Sequence, residues 1–170
     1  MVPIRCLSPD RARGAKAPRG FTLIEMIVVV LIVSILASAA MPLSALHKRR
    51  TQEAELRQSL RNLRMAIDEY KKAWDAGRIE RKQGDTGYPP TLESLVTGVV
   101  DVTSTSKSRM YFMRRVPRDP FADASLPSAQ TWGLRSYASP PDAPARGADV
   151  FDVYSRAEGV GLDGSPYRQW

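Results

Sequence analysis

Two residue types that often build reactive sites are almost missing from this chain of 170 residues, which has one cysteine, Cys6, and one histidine, His47. A single cysteine rules out a disulfide within the chain. A single histidine beside an apolar run leaves no plausible geometry for a histidine-based catalytic triad. The sequence also has no P-loop, no G-x-G-x-x-G motif and no cysteine–histidine cluster for a metal. We therefore expect a protein that is not an enzyme.

The positive charge is unevenly distributed along the chain, whose formal net charge is +7. Residues 1–20 hold five basic side chains and one acidic one, so +4 of the total lies in this basic leader. The high isoelectric point is therefore weak evidence for nucleic-acid binding, and we expect none. A basic leader before an apolar run favours a cytoplasmic leader, with the rest of the chain outside. The basic residues at 48–50 weaken that argument, although they could also contact lipid headgroups.

The most informative stretch is residues 20–42, GFTLIEMIVVVLIVSILASAAMP. About 20 mostly apolar residues, at about 1.5 Å each, give roughly 30 Å of helix, which is the thickness of a hydrocarbon core. The run therefore predicts a membrane-spanning helix. Its single carboxylate, Glu25, costs roughly a few kcal/mol inside a membrane and is usually a mark of function. An uncleaved signal anchor is the simplest alternative, and a cleaved secretory signal peptide fits less well because its apolar region would be shorter.

Beyond Pro42 the apolar residues recur at alternating spacings of four and three, which predicts a helix with a narrow apolar stripe. The stripe comprises Leu56, Leu60, Leu63, Ile67, Tyr70 and Trp74. Together with the apolar run it predicts one helix of about 50 residues, from near Phe21 to near Trp74, in which Pro42 removes one backbone hydrogen bond. Glu53 and Arg57 are expected to form an exposed pair one turn apart.

The remaining chain predicts a small domain of loops and short strands. Thr91 is expected to cap a short helix over TLESLVTG. Two segments, 132–138 and 149–155, alternate or are rich in valine, tyrosine and phenylalanine, so they predict strands. The connecting segments are expected to be loops or proline-broken extended chain: 77–90, 101–108 and 111–121.

The letters G-F-T-L-I-E at 20–25 resemble the class III signal of type IV pilins and type II secretion pseudopilins. The resemblance implies that a dedicated prepilin peptidase cleaves between Gly20 and Phe21 and methylates the new N-terminal Phe21. It also implies that Glu25 is the carboxylate used in assembly. Pro42 falls where that family commonly has a proline.

The soluble motifs resemble the major pseudopilin of type II secretion more closely than a true pilin. In chain order they are YPPTLESL (88–95), VPRDPF (116–121), FDVYS (151–155) and Trp170. The resemblance implies a pilin-like α+β fold, with a long N-terminal transmembrane and amphipathic helix packed on a small antiparallel β-sheet. The implied parts are a cleaved leader (1–20), a transmembrane and assembly helix (21–42), the amphipathic half of that helix (43–76) and a periplasmic domain (77–170).

The function implied by this resemblance is that of a structural subunit of the type II secretion pseudopilus, which assembles from the inner membrane to drive protein export across the outer membrane. Implied partners are other copies in a helical filament, other pseudopilins, the inner-membrane assembly platform, the prepilin peptidase and membrane lipid. The expected topology is single-pass in the inner membrane, with the N-terminus cytoplasmic before cleavage and the C-terminal domain periplasmic. A major or minor type IV pilin, or a membrane-anchored periplasmic binding module that never polymerises, remains an alternative.

The oxygen-rich loop SRAEGVGLDG at 155–164 is a candidate calcium site. Ser155, Glu158, Asp163 and glycine carbonyls offer the hard oxygen donors that Ca²⁺ prefers. The resemblance implies a structural calcium in the corresponding loop, although Glu158 stands where the family usually has aspartate and this loop is shorter. A plain glycine-rich turn therefore remains the alternative.

Overall fold

The computed structural model describes residues 20–170, and at residues 39–43 it describes the backbone without the side chains. Apart from Gly20, the predicted leader with Cys6 therefore lies outside the described residues, as does the side chain of Pro42. The chain divides into two compact units, Met1–Leu43 and Ser44–Trp170.

The long helix α1 spans Leu23–Asp75, 53 residues that begin in the first unit and end in the second. These bounds confirm the long helix that the apolar run and the stripe predict. The helix ends where Gly77 adopts a left-handed backbone with φ of 72°, a conformation that glycine reaches without a steric penalty. Where side chains are described, no helix offers a stretch long and apolar enough to cross a membrane. The predicted segment 21–42 includes four residues whose side chains are outside that description, and it stays a prediction.

The second half of α1 carries the core of the unit Ser44–Trp170. The predicted stripe is buried along its length, except that Trp74 is half-buried. Each fully buried leucine contributes roughly 1.5–3 kcal/mol of hydrophobic stabilisation relative to an exposed one. The stripe packs in one cluster with Leu92, Leu95, Trp132, Val150, Val153 and Tyr167. The apolar stripe therefore holds the rest of this unit on the helix, as its spacing predicts.

A short helix and a short hairpin follow the loop after α1. The helix α2 spans Leu92–Thr97, and the Thr91 hydroxyl accepts a hydrogen bond from the Ser94 main-chain nitrogen at 3.3 Å, which confirms the predicted cap. Strands β1 (Val99–Val100) and β2 (Arg109–Met110) pair antiparallel. The sequence predicts the loop between these strands but not the strands, because two residues are too few to show a period.

Asp101 fixes the loop between β1 and β2. Its carboxylate accepts hydrogen bonds from the Thr103 main-chain nitrogen at 3.0 Å and from the Thr103 hydroxyl at 2.6 Å. Arg78, three residues after α1, donates to the same carboxylate at 2.6 Å. The hydrogen bonds from Thr103 and then Arg78 lower the pKa of Asp101 from 3.8 to about 2. The charged carboxylate thus ties the loop to the end of α1.

A second antiparallel pair consists of β3 (Trp132–Arg135) and β4 (Asp152–Ser155), with Trp132 opposite Ser155. Both strands are shorter than the predicted segments, because beyond Arg135 and Phe151 the main-chain nitrogens bond to loop carbonyls or to the Asp149 side chain and do not continue the ladder. The main-chain nitrogen of Ser136 donates to Ala145 at 3.0 Å, and that of Val150 donates to Pro89 at 2.8 Å. A long helix with two small antiparallel sheets confirms the α+β, pilin-like class, although the sheet is two separate pairs.

Candidate functional site

The N-terminal motif lies at the start of α1. Thr22 caps the helix: its hydroxyl accepts from the Glu25 main-chain nitrogen at 3.3 Å, and its carbonyl accepts from that of Met26 at 3.2 Å. Gly20 and Phe21 therefore precede the helix, and both are exposed. A Cβ added at Gly20 would meet nothing within 4 Å, so nothing in the described fold requires glycine there.

The first turns of α1 present an apolar surface that no other described residue covers. Exposed fractions of the large apolar side chains from Phe21 to Leu36 range from 45% to 77%. Glu25 is also exposed, and it is the only charged residue in 20–38. The hydroxyls of Ser34 and Ser38 donate to helix carbonyls at 2.7 and 2.8 Å, so they need no outside partner. Because a helix that is apolar all round is normally buried, this surface calls for lipid or other protein chains around it.

The structure places the three predicted calcium ligands in separate contacts. Ser155 is fully buried, and its hydroxyl donates to Asp119 at 2.5 Å. Glu158 is exposed. The Asp163 carboxylate lies 2.5 Å from the Arg57 guanidinium and accepts from the Ser165 hydroxyl at 2.6 Å. Hydrogen bonds from Ser165, and then the charge of Arg57, hold the pKa of Asp163 below its ordinary value.

These contacts do not fit a shared calcium site built from Ser155, Glu158 and Asp163. The described residues contain no group of three acidic, histidine or cysteine side chains that could hold a metal ion. The carboxylate of Asp163 already has a cationic partner, and the hydroxyl of Ser155 is committed to another carboxylate. Calcium in this loop and its alternative, a plain glycine-rich turn, both stay predictions.

Glu53 is a polar residue whose role the sequence reasoning missed. It is only 4% exposed, and one of its oxygens accepts from the Leu162 main-chain nitrogen and from the Tyr167 hydroxyl, both at 2.9 Å. The predicted exposed pair with Arg57 is therefore wrong, because Arg49 lies 3.4 Å from the same oxygen while Arg57 pairs with Asp163. The sequence does indicate that Glu53 is buried, because Glu53 precedes Leu56 by three residues and so continues the stripe.

An open cavity of about 1010 Å³ lies where the loop after α1 faces the β1–β2 hairpin. Its lining combines aromatic side chains, among them Trp74 and Tyr88, with Lys82, Asp85 and Arg109. Among the described residues, the Trp74 indole nitrogen is the only buried side-chain polar atom without a hydrogen-bond partner. Acidic and basic groups are mixed around this cavity, so charge alone selects no ligand.

An N-terminal methylation signal, a long helix and small antiparallel sheets together define a pilin-like subunit. The family model of the prokaryotic N-terminal methylation motif matches residues 16–41. A type II secretion system core protein G from Vibrio cholerae is 30% identical over 152 residues, which are 85% of this chain and 88% of that protein. The chain belongs to the type II secretion system core protein G family, which confirms the resemblance to the major pseudopilins.

Enterobacterial relatives with the same name match a shorter segment. The protein from Pectobacterium carotovorum is 32% identical over 107 residues, 61% of this chain and 62% of that relative. The one from Klebsiella pneumoniae is 30% identical over 107 residues, 61% of this chain and 69% of that relative. The match thus spans less than two thirds of the Pectobacterium protein. No solved structure gives a significant match to the chain.

Proposed function

We propose that this chain is a structural subunit of the type II secretion pseudopilus, which assembles from the inner membrane and helps to move proteins across the outer membrane. The observation that carries the proposal is the exposed apolar start of α1, with Glu25 as its single charge. Family membership supports it, because the relatives are named as core proteins of that secretion system. The chain has a structural role in this proposal and no catalytic one.

Before assembly, the apolar start of α1 lies in the inner membrane and the unit Ser44–Trp170 is periplasmic. The +4 charge of residues 1–20 supports this orientation, because basic flanks stay on the cytoplasmic side. A prepilin peptidase then cuts between Gly20 and Phe21 and methylates the new amine. The accessible position of this bond ahead of the Thr22 cap supports that step.

In the assembled filament the apolar helices bundle, and other copies and pseudopilins replace lipid as their surroundings. A carboxylate in that water-poor bundle needs a cation. The amine that cleavage creates on Phe21 of a neighbouring copy is the natural partner for Glu25. Breaking such a buried pair by removing one partner costs roughly 3–5 kcal/mol. Glu25 therefore couples processing of one subunit to its acceptance by the next at the assembly platform.

Secretion by cells that carry only the Glu25→Val variant tests this role. We expect the variant to insert into the membrane and to be processed, yet to form no filament and to export no substrate. Glu55→Val is the matched control, since Glu55 is an exposed glutamate of α1 in the second unit, and we expect it to secrete normally. Normal secretion by Glu25→Val would refute the assigned role.

A second candidate function, a membrane-anchored binding module that does not polymerise, is favoured by the cavity beside Trp74. That cavity combines aromatic side chains with charged ones, as small-ligand sites often do. In this case, changes that fill the cavity would abolish function, whereas Glu25→Val would not. Comparing Lys82→Trp with Glu25→Val in the same secretion assay separates the two functions, because Lys82 is exposed and lines the cavity, and its backbone accepts any side chain.

A further inference from the structure

The C-terminal segment, residues 156–170, lies against one face of the second half of α1. Three helix side chains hold it, spaced so that they share that face: Glu53, Arg57 and Arg64. Arg64 donates to the main-chain oxygen of Trp170 at 2.7 Å and to that of Val153 at 3.1 Å. Glu53 accepts from Leu162 and Tyr167, as described above. The segment therefore docks on the helix through polar contacts in its middle and at its C-terminal end.

We propose that the guanidinium of Arg57 is the cation that fastens this segment in this chain, so that the segment docks on α1 without a divalent metal ion. Both oxygens of the Asp163 carboxylate have partners in the described structure. One lies 2.5 Å from the Arg57 guanidinium, and the other accepts from the Ser165 main-chain nitrogen at 3.0 Å and from its hydroxyl at 2.6 Å. A calcium ion at the first of these oxygens would compete with the guanidinium for it.

Arg57 also contacts the end of the segment. Its guanidinium carbon lies 4.1 Å from the centre of the Trp170 ring, at a distance typical of a cation–π contact. The Trp170 indole nitrogen donates to the Ser165 hydroxyl at 2.5 Å, and Ser165 in turn donates to Asp163. The four side chains therefore form a closed ring of contacts. A planar guanidinium can pair with a carboxylate and stack on an indole together, which a lysine ammonium does less well.

Close packing inside this ring leaves little room. A Cβ at Gly161 would overlap the Trp170 ring and would lie 2.8 Å from an Asp163 carboxylate oxygen. The other predicted calcium donors are not part of the ring, since the Ser155 hydroxyl donates to Asp119 and Glu158 is exposed. The loop is thus closed by contacts among four side chains of the chain itself: Arg57, Asp163, Ser165 and Trp170.

Hydrogen exchange of the complete chain in detergent, with calcium chloride or with a chelator, tests the proposal. We expect the main-chain amides of residues 160–170 in the wild type to be equally protected in both conditions, with an unchanged melting temperature. In Arg57→Met their exchange should accelerate roughly tenfold, because an exposed ion pair and a cation–π contact each stabilise modestly. Arg57→Lys should be intermediate, since it keeps the charge and loses the planar fork.

The matched control is Arg61→Met, one turn further along α1. Arg61 is exposed and donates to Gln58 of the same helix at 2.7 Å, so its loss should leave residues 160–170 protected. Two results would overturn the proposal. One is stronger protection of these amides, or a higher melting temperature, in the wild type when calcium is added. The other is unchanged exchange in Arg57→Met.

Discussion

Asp119 offers the sharpest test of what stabilises the unit Ser44–Trp170, because its buried carboxylate joins a loop to β4. The side chain is 1% exposed. One of its oxygens accepts from the Phe121 main-chain nitrogen at 2.8 Å and the other from the Ser155 hydroxyl at 2.5 Å. Asp119→Ala would leave both of these donors without a partner in the interior.

Each buried donor left unpaired costs roughly 1–3 kcal/mol, and relief from burying the carboxylate offsets part of that loss. We therefore expect Asp119→Ala to destabilise the unit by about 2–4 kcal/mol. For a unit of this size that lowers the melting temperature by roughly 8–16 °C. Asp119→Asn should lose less, because it keeps one acceptor oxygen and the Ser155 hydroxyl can rotate.

Thermal unfolding of the complete chain in detergent, followed by near-ultraviolet circular dichroism, measures this loss. Asp142→Ala is the control, since Asp142 is exposed and should be silent. The double variant Asp119→Ala with Ser155→Ala should lose less than the two single losses added together, because the two side chains share one hydrogen bond. A melting temperature for Asp119→Ala equal to that of the control would refute the reasoning.

Two further predictions concern processing and pH. Intact-mass spectrometry of protein extracted from membranes should find a chain that starts at methylated Phe21, and Gly20→Leu should block that cleavage; a different first residue would argue against the class III signal. Asp101 has a pKa of about 2 in the folded chain against an ordinary 3.8, so its contribution to stability is complete above about pH 4 and is lost as the pH falls towards 2. Urea midpoints between pH 5 and pH 2 should therefore fall less steeply for Asp101→Asn than for the wild type, and parallel curves would contradict the assigned contacts.

The sequence predicts those parts of the fold in which a local pattern and the tertiary packing agree. The spacing of the stripe predicts the second half of α1, and Thr91 predicts the start of α2, because both features act within a few residues. The strands over 132–138 and 149–155 were predicted too long. Their outer residues have strand-like composition, but loop residues such as Ala145 and Pro89 accept hydrogen bonds from their main-chain nitrogens.

Long-range pairing explains why the polar contacts of the C-terminal segment were not predicted. Glu53 and Arg57 suit an exposed pair by spacing alone, yet each finds a partner more than a hundred residues away. A spacing rule within one helix does not detect a partner at that separation. An exposed pair within a helix also stabilises too little to compete with such a partner. The calcium prediction, which rests on oxygen-rich composition and on the family resemblance, likewise carries no information on which of these oxygens have partners within the chain.

The central claim is that the processed chain polymerises through its apolar helix, and cryo-electron microscopy of filaments sheared from cells that express the assembly machinery tests it most directly. The account predicts filaments built from this chain, with Phe21 as the first residue and the helices bundled at the centre. Their Glu25 carboxylates should lie beside the N-terminal amines of neighbouring copies. A chain that is cleaved after Gly20 and remains monomeric in the membrane fraction, with no filament formed, would contradict the claim.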